Sequence, residues 1–255
     1  MTLPMSCGPA APVADGDAVE LPASDVAPGD MVEVAFVAQP SDSSPLVDVS
    51  FLLHAGAALD PEGKKGLAAL TAAMITDGGS QAKTIDEINA AMFPMAAGFG
   101  AQVDKEMTRL AGQVHKDNLD AWYALVRGQL LFPAWSENDF ARIRTQMKNA
   151  IRTNLVGNND EELGKEFLYT RIYGAEHPYG SLNLGATSDL DAITLDDVRA
   201  FYEAHYTVAN MTVGLSGGYP DSFPALVSKD LQLLGAGEKS ALDIPPAPAI
   251  EGRHA

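Results

Sequence analysis

Gly66-Leu67-Ala68-Ala69-Leu70-Thr71-Ala72-Ala73-Met74 is the stretch whose reading decides the fold. Residues 67–75 are Ala, Leu, Met and Ile, with one Thr. Ala and Leu are the strongest helix formers, and a helix that is apolar nearly all round is a buried one. Asp60-Pro61-Glu62-Gly63 makes a turn ahead of it, and Asp77-Gly78-Gly79 supplies a C-terminal stop. Upstream, residues 47–53 form an apolar run of strand length, expected at the centre of a sheet. Strand, Gly-containing turn, buried helix and Gly-Gly turn make one unit, around which the rest of the chain is expected to pack. Composition alone says no more of the helix than that it belongs to the core.

Working outward, residues 32–38 read as a strand and residues 39–45 as a turn. Thr84-Ile85-Asp86-Glu87 is a capping box, Thr at the N-cap and Glu three residues on, opening a helix to about Met95. Residues 97–103 look extended, Asp104-Lys105-Glu106 is a polar turn, and residues 107–114 alternate as a half-buried strand does, so the three predict a hairpin. Helices follow from Asp117-Asn118 to the break at Pro133, and from a Ser136 cap to Asn158-Asn159-Asp160. The second of these places Phe140, Ile143, Met147, Ala150, Ile151 and Leu155 at helical spacing. Residues 161–172 make another helix, Thr194-Leu195-Asp196-Asp197 caps one to about His205, residues 211–217 are a strand, and residues 221–235 the last helix. The order β-β-α-α-β-β-α-α-α-α-β-α predicts an α+β fold, a mostly antiparallel sheet covered on one face by helices. Residues 1–30, with Pro4, Pro9, Pro12, Pro22 and Pro28, read as a flexible tail, residues 31–237 as the domain, and residues 238–255 as a Pro/Ala-rich linker.

The chain of 255 residues carries 17 basic and 34 acidic residues, a formal charge of −17. No basic patch is present, which argues against a nucleic-acid partner. An acidic surface gives solubility and favours basic partners or peptides. No apolar run reaches the roughly 20 residues of a membrane span. Cys7 is the only cysteine, so no intrachain disulfide can form. It sits in Met5-Ser6-Cys7-Gly8-Pro9-Ala10-Ala11-Pro12 with no complete signal peptide before it. Two readings stay open: an incidental Cys in a tail, or the tether of a bacterial lipoprotein after leader removal. The five histidines, His54, His115, His177, His205 and His254, are scattered, none within four residues of another. No nucleophile elbow, P-loop or dinucleotide fingerprint occurs.

Val47-Asp48-Val49-Ser50-Phe51-Leu52-Leu53-His54-Ala55-Gly56, then Asp60-Pro61-Glu62-Gly63-Lys64-Lys65-Gly66-Leu67-Ala68, then Asp77-Gly78-Gly79-Ser80 resembles the opening of an M16 (insulinase/pitrilysin/mitochondrial processing peptidase-like) domain. Tyr173-Gly174-Ala175-Glu176-His177-Pro178-Tyr179-Gly180, and Thr194-Leu195-Asp196-Asp197-Val198 through Phe201-Tyr202 to Asn210-Met211-Thr212-Val213, resemble later stretches of that family. The resemblance runs from about residue 32 to 237. It implies the LuxS/MPP-like metallohydrolase fold. In active members Gly-Leu-Ala is followed by His-x-x-Glu-His, whose two imidazoles at i and i+4 meet one zinc while the Glu polarises water. Laid on this chain, those positions are Ala69, Ala72 and Ala73, and the third ligand of the family falls at about Ala150. A methyl group has no lone pair, so the resemblance implies a domain without its metal site. Ala also keeps the helix stable once bulky polar groups are gone.

The resemblance further implies extended peptides added as a strand at Gly98, Phe99, Gly100, Ala101, Gln102 and Val103, main-chain recognition that does not depend on the lost ligands. It implies a half-unit that pairs with a catalytic M16-like subunit or second domain, zinc being carried only by that partner. The expected compartment is the periplasm or cell envelope of a bacterium, with anchoring through Cys7, or otherwise the cytoplasm. Two rival readings stand beside this one: a structural assembly subunit with no peptide ligand, and an active zinc metalloendopeptidase whose site lies at other residues.

Overall fold

The computed structural model describes residues 21–27 and 29–249. Its sheet has five strands, β1 (Ala35–Pro40), β2 (Leu46–Leu53), β3 (Gly100–Val103), β4 (Thr108–His115) and β5 (Met211–Gly217), in the order β1-β5-β2-β4-β3. Only β1 and β5 run parallel; the other three pairings are antiparallel. The apolar strand read as central is central. Period-two alternation sends Val47, Val49, Phe51 and Leu53 of β2 into the core, with Met211, Val213 and Leu215 of β5 beside them. The opposite face is polar, where Gln113 Nε2 donates to Asp48 Oδ1 at 2.8 Å and the Arg109 guanidinium to Ser50 Oγ at 2.8 Å.

The helices are α1 (Leu67–Asp77), α2 (Ile85–Met92), α3 (Leu119–Leu131), α4 (Glu137–Asn149), α5 (Asp160–Tyr173), α6 (Thr187–Ala192), α7 (Leu195–His205) and α8 (Phe223–Leu231); they form a layer on the apolar face, apart from α5, which buries none of its residues. α1 is the hub of this layer, packed on β3, α4 and α7, with Leu67, Ala68, Leu70, Ala72, Met74 and Ile75 all buried. The capping box at Thr84 and Glu87 forms as read, and a second joins Thr194 to Asp197. Among the described residues no helix is long and apolar enough to cross a membrane.

Several expectations shift. The main chain of Val32 is bound by the Gln232 side chain, Nε2 to its carbonyl at 3.1 Å and Oε1 from its N–H at 2.8 Å, so β1 starts only at Ala35. The α6 helix and the loop before it, residues 181–186, had no sequence assignment; six residues are too few to show a helical period. Beyond Asn149 the chain widens into a π-helical turn, Ala150–Leu155, where the N–H of Val156 reaches the carbonyl of Ile151 at 3.0 Å. Residues 21–27, which composition put in a tail, lie against α3: Ser24 is buried and Arg127 donates to the Pro22 carbonyl. The expected linker is held at two points, Ser240 N–H to Asn210 Oδ1 at 2.9 Å and His177 Nε2 to the Pro245 carbonyl at 2.9 Å, while most of its other described residues are exposed. Pro/Ala composition reports stiffness and polarity, not the presence of docking partners. Cys7, with residues 1–20, and His254 lie outside the described residues.

The start of α1 is fixed by one carboxylate. Asp60, 4% exposed, accepts from the N–H of Gly66 and of Ala68, both at 2.7 Å, and so caps the helix from six residues upstream. Burial pushes its carboxyl up to about 6, against the pull of those two N–H groups and of Lys65 and Lys105. Folding therefore takes up a proton at Asp60 between the ordinary carboxylate pKa and about 6. That contribution is largest at the acid end of the window and is lost as pH rises through it, up to roughly 3 kcal/mol. Urea titrations of wild type and Asp60→Asn at pH 4 and pH 7 check this: the stability difference between them should move toward the wild type at pH 4, and an unchanged difference would remove Asp60 from the balance.

Candidate functional site

Where α1 crosses beside β3 the layers do not close. A cleft of about 420 Å³ opens there. Its floor on α1 is Ala69 and Ala73, with Thr76 and Asp77 at the far end; β3 gives Ala101 and Val103, and α4 gives Met147. Asn183 and Leu184 close the remaining side. Their loop is held down in three ways. Lys105 Nζ donates to the Ser181 carbonyl, Asn183 Nδ2 donates to the Val103 carbonyl at 3.3 Å, and the Leu184 carbonyl presses on Gly66. Gly66 has φ +100°, and a Cβ there would lie 2.5 Å from that carbonyl, so glycine is required on both counts.

Of the four positions singled out by the resemblance, Ala69 and Ala73 share the helix face that forms the cleft floor. Ala72 is fully buried and is not in the lining. Ala150 is not in the lining either; Met147, one turn earlier, supplies the α4 wall. Zinc, which the resemblance associates with this place, does not fit these residues. The floor offers methyl groups, the α4 wall a thioether, and Asp77 is the one ionisable lining residue. Burial holds the Asp77 carboxyl above its ordinary range, against the pull of Arg142. Among the described residues no three His, Cys, Asp or Glu side chains gather as a metal site. None of His54, His115, His177 and His205 lines the cleft: His54 lies near Thr212, His177 is bonded to Pro245, and His205 to Ser240.

The cleft opens along the free side of β3, an edge strand. The N–H of Asp104 donates to the Met107 carbonyl at 2.8 Å, which makes that the last hydrogen-bonded pair of the hairpin. Antiparallel pairs alternate. Gln102–Arg109 and Gly100–Ala111 are then hydrogen-bonded, while Ala101 and Val103 turn their main-chain groups outward. The Asn183 bond to the Val103 carbonyl agrees with that assignment. The side chains of Ala101 and Val103 lie on the same face as their partners Leu110 and Thr108, both fully buried, and so face α1. The strand proper is shorter than the six-residue stretch read from sequence. Phe99 packs edge-on against Phe51 with ring centroids 6.4 Å apart, and the Gly98 carbonyl accepts from Trp122 Nε1 at 3.2 Å. Asn183 and Leu184 carry no sequence signal as site residues beyond the alternation Leu182, Leu184 before Gly185.

No family model and no curated protein matches the sequence. Solved structures do. A crystal structure of a peptidase M16 inactive domain from Pseudomonas fluorescens superposes with a TM-score of 0.75 at 24% identity, covering 86% of this chain and 52% of that one. A protease from Helicobacter pylori gives 0.71 at 18% identity, over 86% of this chain and 54% of that one. A chain of Complex III2 from Candida albicans gives 0.59 at 14% identity, over 83% and 47%. The α+β, M16-like fold expected from the sequence is thus the fold of the chain. The chain spans about half the length of each of these structures.

The different surroundings of neighbouring alanines make a direct check of the cleft. Ala73→Leu projects into open space and should leave stability within about 0.5 kcal/mol of wild type. Ala72→Leu forces extra methylenes into a closed core and should cost about 1–3 kcal/mol. Paired urea titrations measure both, and equal losses would mean that the cleft is closed in solution.

Proposed function

We propose that this chain is a non-catalytic M16 peptidase-like domain that pairs with a zinc-bearing M16 partner, or with a second such domain, and contributes surface to a peptide-binding chamber. The carrying observation is the cleft itself: methyl groups of Ala69 and Ala73 on its floor, beside an open strand edge. The likeness in fold to a structure described as an inactive M16 domain supports the same reading.

The chemistry divides between the two halves. Polarising water and the scissile carbonyl falls to the partner's zinc. This chain binds and aligns: outward main-chain groups of β3 take an extended peptide as an added strand. Pairing is supported by α5, which buries none of its residues and exposes Phe167, Leu168 and Tyr169. A bacterial envelope location, with Cys7 as a tether, belongs to this proposal as well. The occurrence of the fold in Complex III2 favours a second reading, a structural subunit with no peptide ligand.

Native mass spectrometry of the protein purified from its source without chelator tests the proposal, since one spectrum reports partner and metal together. The expected result is a complex with a second M16-like chain and zinc on that chain alone. A lone chain carrying one zinc would overturn it. A complex that never retains a peptide would favour the structural subunit.

A further inference from the structure

We infer that the cleft over Ala69 and Ala73 is a side-chain pocket, selecting an extended peptide by one aliphatic or aromatic residue placed opposite Ala101. The inference rests on the reading of β3 as a peptide-binding edge and adds to it the class of peptide. The space where the related active domains need polar ligands is lined here mostly by apolar groups, among them the Ala69 and Ala73 methyls, Met147 and Leu184, with Thr76 and Asp77 at one end.

Strand geometry fixes which residue enters. A residue paired directly with Ala101 carries its side chain on the same face as that of Ala101. That face is the α1 side, so the side chain points into the cleft, while its two neighbours point to the polar face near Gln102 and Arg109. The main chain of the guest has partners at hand in the outward N–H and C=O of Ala101. Next to it, Asn183 Nδ2 donates to the Val103 carbonyl at 3.3 Å, while its Oδ1 is buried and has no hydrogen-bond partner among the described residues. Only a turn of that side chain toward the edge would bring its Oδ1 within reach of a peptide N–H.

Size and charge narrow the choice. A cleft of about 420 Å³ is near the lower end of the roughly 300–1,000 Å³ range of ligand pockets. It holds a large apolar side chain and leaves a glycine guest with exposed methyl groups on the protein side. A carboxylate guest would meet Asp77 at the far end and lose its hydration against methyl groups. The formal charge of −17 points the same way, toward peptides with basic flanks.

The test uses the whole chain and a set of capped heptapeptides of alternating Thr and Lys, with Gly, Asp, Leu or Phe at the centre, followed by fluorescence polarisation. Leu and Phe should bind about 10- to 100-fold more tightly than Gly or Asp, about 1.4–2.8 kcal/mol. Ala73→Phe fills the pocket and should reduce that preference to less than about threefold while the Gly peptide binds as before. Met147→Ala widens it and should raise the affinity for Phe relative to Leu, a change that misfolding cannot produce. Ala101→Pro is a control for the edge: its N–H points outward, so the sheet is kept and all binding should go. If the peptides bind without regard to the central residue, strand addition stands and the pocket is refuted. If none binds, both fail. Equal binding of free apolar small molecules that ignore β3 would also overturn the inference.

Discussion

The seating of α1 is the constraint on which the rest depends. Asp60 holds the first N–H groups of the helix, and the loop of residues 182–185 presses on Gly66 from the other side. Between them the start of the helix has no freedom to slide. α1 in turn touches β3, α4 and α7, so its position sets the spacing of the whole helical layer. The ion pair of Lys64 with Asp197 at 2.5 Å and the bond from Lys65 N–H to Asp189 at 3.1 Å tie the same corner to α6 and α7. The Lys64 pair is partly exposed and contributes little energy; its role is orientation.

That rigidity explains why the cleft exists. In a helix free to move, replacing large side chains by Ala lets neighbours collapse into the space. Here the backbone is held by contacts that do not involve Ala69 or Ala73, so the space stays. It costs little to keep, because the cleft is open to water and is not a sealed cavity. Ala is also the residue that best maintains a helix without side-chain contacts. A face of small apolar side chains is therefore compatible with an intact fold.

Much of this was legible in the sequence, and the reason is periodicity. β2, α1 and the capped helices α2, α4 and α7 are long or strongly punctuated, so their local signals agree with their tertiary places. What escaped was set by contacts distant in sequence. The start of β1 is decided by Gln232, some two hundred residues away, and the docking of residues 21–27 by Arg127. Asn183 and Leu184 sit in an irregular loop whose conformation comes from Gly185, at φ +77°, packed on the Lys65 carbonyl. No short-range pattern encodes such a contact. The cleft is half legible: the i, i+4 spacing puts Ala69 and Ala73 on one face, while no local pattern points to Met147 as the α4 wall.

The edge beside the cleft must also stay free of its own kind. An open strand edge invites pairing with any other edge. β3 is only four residues long, and one of its outward carbonyls, that of Val103, is taken by Asn183. A strand laid along this edge would meet a short run of outward groups centred on Ala101. In the proposed binding mode a side chain buried next to the strand, in the cleft under Ala101, adds to those main-chain bonds. The same shortness that protects the edge against indiscriminate pairing would then make affinity depend on the residue a peptide presents.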